Sequence, residues 1–187
     1  LEGRDKGNLI SVITSDIELL EVFYAHTISP IAIAVLTSLV MILSLGRFSP
    51  AAAGLAMAGY VVVGVVIPLH YGSRGAEPGM EFRNGFGELN AFILDSLRGL
   101  DETIQYGQGE KRREEMGERS VGLGRMQDKL NLLEASQRSV TNLVILLFSF
   151  FMLFLMIGLR QSGSVDLTGM VVGTVAMMGS FGPVTAL

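Results

Sequence analysis

Chemistry in this chain has few side chains to draw on. Four glutamates, Glu110, Glu114, Glu115 and Glu118, crowd into nine residues, and paired carboxylates are the raw material of acid–base catalysis. Here Lys111, Arg112 and Arg113 interleave with them. At helical spacing such a run is a solvated face of i,i+4 ion pairs, not an acid–base site. His26 and His70 stand too far apart to share a metal, and the absence of cysteine excludes a disulfide framework and thiolate metal sites. No GxxxxGK[ST] run is present to cradle nucleotide phosphates. Serine, histidine and aspartate never fall in a nucleophile-elbow context. No residue is therefore assigned a catalytic, cofactor-binding or metal-binding role, and the chain by itself does not read as an enzyme. Without a basic tract or aromatic–basic interleaving, nucleic acid is not an expected partner.

What the polar part offers is a surface for contact. Gly99, Leu100, Asp101, Glu102, Thr103, Ile104, Gln105, Tyr106 and Gly107 form a short helical turn with a glycine at each end, and glycines let a chain reverse. Leu100, Ile104 and Tyr106, set among Asp101, Glu102 and Gln105, give a small mixed surface suited to docking, with Glu102 and Tyr106 the foremost contacts. An ordinary hairpin turn is the plainer reading of the same residues.

A docking turn needs a stiff mount. Residues 73–139 are polar for 67 positions and hold two helical stripes, Phe82, Phe86, Leu89, Ile93 and Leu97 before the turn, and Leu123, Met126, Leu130, Leu133 and Val140 after it. Two arms of roughly 30 residues would each extend about 45 Å. Gly75-Ala76-Glu77-Pro78-Gly79 is the expected weak point of the first arm, since Gly and Pro both oppose helix.

Beyond the arms the chain turns apolar. Hydrophobic residues make up 49% and charged residues 17%, below the roughly 25% charged of soluble domains, and mean hydropathy is positive at +0.48. Four segments are long enough to cross a hydrocarbon core: 28–46, 51–72, 140–159 and 167–187. Pro30 should kink the first. The second carries small residues, Ala52, Ala56, Gly59 and Gly64, that favour close packing in lipid, and Gly169 and Gly173 form a GxxxG in the fourth. His70 and Tyr71 read as interfacial anchors. No span has an ionisable residue at its centre, which argues against proton or ion coupling. Before the first span, 8–25 reads as an amphipathic helix capped by Asn8.

Ten of the fourteen basic residues lie in the middle hairpin and two in the N-terminal segment, with Arg47 and Arg160 alone in the short turns. The positive-inside rule then places both long polar parts in the cytoplasm. The expected fold class is all-α: a polytopic membrane protein fragment of four transmembrane helices with a long cytoplasmic helical hairpin. A start at Leu1-Glu2-Gly3-Arg4, with no initiator methionine, reads as a piece of a longer protein.

Three motifs in order carry a family resemblance. Gly7-Asn8-Leu9-Ile10 with Thr14-Ser15-Asp16-Ile17 and Leu20 resembles the signature that opens the third transmembrane helix of type I ABC exporters. Gly99, Glu102, Thr103, Tyr106 and Gly107 match that family's second cytoplasmic loop, with Thr103 replacing the usual aliphatic residue. Ser180-Phe181-Gly182-Pro183-Val184 is similar to a segment of the sixth helix, in the manner of the bacterial subgroup linked to thiol export and cytochrome bd assembly. The resemblance implies that 8–46 is the third helix with its cytoplasmic extension, 51–72 the fourth, 73–139 the second cytoplasmic loop with its arms, 140–159 the fifth and 167–187 the truncated sixth. It implies that Gly99–Gly107 couples to a nucleotide-binding domain outside this chain. The implied partners are that domain, a second transporter half (identical or not), membrane lipid and a transported small molecule. ATP and Mg are implied only for the parent protein, and a cell-membrane location for the whole. Two other readings remain: a four-span scaffold or channel subunit whose hairpin binds a partner, and a soluble helical module.

Overall fold

The computed structural model describes Ile17, Leu20, Glu21 and residues 23–186. Most of the expected helix over 8–25, its cap Asn8 and the Gly7–Asp16 part of the first motif lie outside the described residues. Among the described residues every regular element is helical, so the all-α expectation holds. Four helices are long and apolar enough to cross a membrane: α1 (Tyr24–Gly46), α2 (Pro50–Arg98), α4 (Gly109–Gln161), and the stretch Leu167–Thr185. This last comprises α5 (Leu167–Gly179) and a single turn, α6 (Gly182–Thr185). Between the two long helices lies α3 (Leu100–Gln105).

The described residues up to Val66, with those from Asn142 on, form one compact unit, and Ile67–Thr141 forms another. In the first unit, α1 and α2 are joined by the expected tight turn. The Ser49 hydroxyl accepts a hydrogen bond from the Ala51 N–H at 3.2 Å, and Pro50 opens the helix, where its missing N–H costs nothing. Asp166 caps α5 by accepting from the Gly169 N–H at 2.7 Å. The core gathers Leu45, Ala52, Ala56, Tyr60, Met152, Met156, Met177 and Phe181. Small residues on one helix thus receive flexible methionines from others. Gly59, Gly169 and Gly173 are all buried, so the GxxxG is a packing face here. Leucines elsewhere in the unit stay bare, as Leu43 does at 64% exposure, which suits a surface solvated by lipid.

Two stretches depart from the α-helix. Tyr24–Ile28 in α1 and Val62–Val66 in α2 wind as π-helix, and each ends two residues before a proline, Pro30 and Pro68. Proline offers no N–H and its ring crowds the carbonyl one turn back; a widened turn relieves both problems. Before Pro30, where the sequence predicts a kink, the helix carries such a turn.

The second unit is a pair of helical arms closed by α3. The break expected at Gly75–Gly79 does not occur: α2 runs through it with Pro78 in its interior. Gly75, Pro78 and Gly79 are half-buried, and near them the hydroxyls of Tyr71 and Ser136 meet at 3.0 Å. Packing between the arms here overrides a propensity penalty worth a few kcal/mol. The first stripe also needs correcting. Phe82, Leu89 and Ile93 of that stripe are half-buried, but Tyr71, Gly75, Pro78, Gly85, Phe92 and Ser96 are half-buried with them in a heptad phase, whereas Phe86 and Leu97 are 50% and 62% exposed. The second stripe holds, apart from Val140, which is exposed at 37%.

Candidate functional site

The candidate site is built by the way the first arm ends. Helix α2 stops at Arg98, and Gly99 leaves the α region with φ −95° and ψ 24°. Its carbonyl accepts twice from Thr103, from the backbone N–H at 2.9 Å and from the hydroxyl at 2.8 Å. Thr103 thereby ties α3 to the end of the arm. Gly107 adopts φ 65°, a conformation other residues take at a cost. The Gly107 N–H reaches the Ile104 carbonyl and the Gln108 N–H the Thr103 carbonyl, the two bonds of a Schellman cap. Gly163 ends α4 in the same way, with φ 76° and bonds from Gly163 to Arg160 and from Ser164 to Leu159.

All nine expected residues fall on this one turn, on two faces. Gly99, Glu102, Thr103 and Tyr106 line a polar cleft of about 670 Å³, completed by Asp95 and Arg98 before the turn and by Gln108, Lys111, Arg112 and Glu115 after it. Leu100 and Ile104 are set off from that cleft, at 48% and 70% exposure, and Tyr106 at its rim is 72% exposed. Asp101 and Gln105 are also exposed. The cleft itself was missed from sequence. Its walls come from two segments whose pairing depends on the register of the arms.

Beside the cleft the two arms are joined by a cluster around Phe92. The Arg112 and Arg119 guanidinium carbons lie 5.1 and 4.6 Å from the centre of its ring. Arg112 also approaches Asp95 at 3.8 Å, and Arg119 pairs with Glu115 at 2.8 Å. Cation–π contacts at such partly exposed positions contribute roughly 0.5–1 kcal/mol each. Phe92→Leu keeps the apolar bulk and removes the aromatic face. It should loosen the arms by about 1 kcal/mol, seen as faster hydrogen exchange at the amides of Ile93–Arg98. Unchanged protection would remove Phe92 from this role.

The glutamate run behaves as a surface. Glu110 pairs with Arg113, whose hydrogen bond and positive charge hold its carboxyl below the usual range. Since the folded value is depressed, the pair's contribution is complete above the ordinary carboxylate range and fades as pH falls through the lowered value. Both groups are solvent-exposed, so that contribution is small. Among the described residues no group of three His, Asp or Glu side chains is placed to hold a metal ion.

No family model matches the chain. A Haemophilus influenzae protein named as a probable ABC transporter ATP-binding/permease protein is 37% identical over all 187 residues. The chain spans about a third of that relative, 34% of its length. With four helices apolar enough to cross a bilayer, this likeness supports a membrane location. From its first residue to its last, the chain is similar to part of an ABC transporter ATP-binding/permease protein, which supports reading it as a transporter membrane region.

Proposed function

We propose that this chain is the membrane-spanning part of an ATP-driven exporter and that α3 couples it to a nucleotide-binding domain. The observation that carries the coupling role is the tip itself. A six-residue helix, fixed at both ends by backbone hydrogen bonds, displays Leu100, Ile104 and Tyr106 to solvent. A coupling element has to be stiff, and the paired arms supply stiffness. On this reading 8–46, 51–72, 140–159 and 167–187 are the third to sixth helices of the transporter half, and 73–139 is its second cytoplasmic loop. The N-terminal segment and the hairpin face the cytoplasm. ATP and Mg bind to the nucleotide-binding domain, and nucleotide shifts the membrane part between two states only by its differential affinity for them. A second half, identical or different, completes the pathway. The finer subgroup, thiol export and cytochrome bd assembly, rests on Ser180–Val184.

The test is proximity in the full-length parent. A photo-crosslinking residue at Ile104 should attach to a nucleotide-binding domain in native membranes, and one at Leu132, also exposed, should not. Equal labelling from both positions, or none from Ile104, overturns the assignment.

A further inference from the structure

The last apolar stretch is not one continuous helix. Helix α5 ends at Gly179, and the turn α6 begins at Gly182. Pro183 accounts for the break: it has no N–H to offer the Gly179 carbonyl four residues back, and its ring crowds that carbonyl. Gly179 and Gly182 flank the break, and nothing lies within 4 Å of where a Cβ on either would stand. Packing therefore does not call for glycine at these two positions, whereas backbone freedom at a joint does.

The joint is held from α2. The Tyr60 hydroxyl donates to the Ser180 hydroxyl at 2.5 Å, and the Ser180 hydroxyl donates to the Met177 carbonyl at 2.8 Å. The Tyr60 ring meets the Phe181 ring edge-on at 5.3 Å, and both residues are buried. Beyond the joint, α6 packs against Val62–Val66, the widened turn that follows Tyr60, and its Val184 is buried. Two irregular turns, each beside a proline, thus face one another, and a chain of two hydroxyls ties them. Tyr60 lies ten residues from Pro50, about 15 Å along the helix, near the middle of a core about 30 Å thick. Lipid at that depth offers no replacement partner, and an unmatched hydroxyl in hydrocarbon is unfavourable. The Tyr60 hydroxyl therefore favours the closed joint.

We propose that Ser180–Gly182 is a hinge in this span and that Tyr60 is its latch. With the hydroxyl bonded, the joint is closed, as it is here; with the bond released, α6 swings away from Val62–Val66. The balance between the two states shifts by whatever the bond contributes. The device requires neither nucleotide nor partner, so it stands whether or not α3 couples to another domain.

The test is fluorine NMR of the full-length protein in lipid nanodiscs, with 3-fluorophenylalanine at Phe181. Two environments are expected, their ratio read from line areas or, in faster exchange, from relaxation dispersion. Tyr60→Phe keeps the ring and removes the latch, and it should raise the open fraction about fivefold, the size of one neutral hydrogen bond. Ser180→Ala should do at least as much, and Tyr60→Phe should add nothing once Ser180 is alanine. Pro183→Ala restores the missing N–H and should leave a single environment in either background. A second label at Phe151, exposed on α4, should not respond to any of these changes. One unchanged environment in both latch variants overturns the hinge. A response to Tyr60→Phe that persists in the Ser180→Ala background overturns the latch, and an equal response at Phe151 means general loosening and overturns both.

Discussion

Replacing Glu102 and Tyr106 together by alanine in the full-length parent should lower transport-stimulated ATP hydrolysis about tenfold or more, within the usual range of coupling energies. Membrane insertion and extraction as a monodisperse species should be unchanged. Both side chains line the cleft beside α3, and neither supports a span. Tyr106 is largely exposed and both of its backbone bonds belong to the peptide, to Glu102 and Ile104, so truncation leaves the turn in place. Glu102 likewise sits in the first turn of α3, where its charge favours the helix N-terminus by only a few tenths of a kcal/mol. A fall in stimulation therefore reports lost docking, not lost folding. Ile104→Ala, on the face away from the cleft, separates the two surfaces. If it uncouples and the double variant does not, the apolar face carries the contact. Undiminished stimulation in both the double variant and Ile104→Ala removes the coupling role from this tip.

The largest effect on stability is expected from Gly59→Leu. A single Cβ built there would lie 3.1 Å from Met177 Cε, 3.1 Å from Phe181 Cζ and 3.2 Å from Phe148 Cδ1. Two of those neighbours are rings, held in an edge-on contact between Tyr60 and Phe181 at 5.3 Å and in the core around it. Three further carbons have nowhere to go, and overpacking of this kind costs about 3 kcal/mol. Gly173→Ala provides the contrast. Its Cβ would meet Met156 Cε at 2.6 Å, a closer approach, but against the free end of a flexible chain that can swing aside. The gain in helix propensity, up to about 1 kcal/mol, then offsets most of the cost. Thermal unfolding of the full-length protein in detergent should show a sharp drop for the first and little change for the second. Equal drops would mean that the number of close contacts matters more than their stiffness.

The spans were legible because hydrocarbon length is a one-dimensional signal. Runs such as Val140–Leu159 need no partner to be recognised; the first three fall inside observed apolar helices, and the fourth, expected over 167–187, overlaps the observed stretch Leu167–Thr185. The turn at Gly99–Gly107 was legible because its glycines sit where a reversal requires them. The faces of the arms were not. A stripe drawn at 3.6 residues per turn picks Phe86 and Leu97, whereas two arms that follow a 3.5-residue phase turn Gly85 and Ser96 inward instead. Glycine and serine in a seam carry no apolar mark, so sequence pattern passes over them. Pro78 misled for the opposite reason: its local signal is strong, and contacts from the other arm outweigh it. The walls of the cleft depend on which residues meet across the two arms, and spacing along the chain does not encode that.

The cleft beneath α3 is walled by three cations, Arg98, Lys111 and Arg112, and three anions, Asp95, Glu102 and Glu115. Charges so mixed cancel beyond a Debye length of about 8 Å, leaving no field to draw a partner through solution. Electrostatic steering, which can raise association rates by orders of magnitude, is closed to such a surface. Recognition at this tip must act at short range, between bodies already confined near each other, where effective concentration does the work that diffusion otherwise would. Parts of one assembled machine meet that condition at all times.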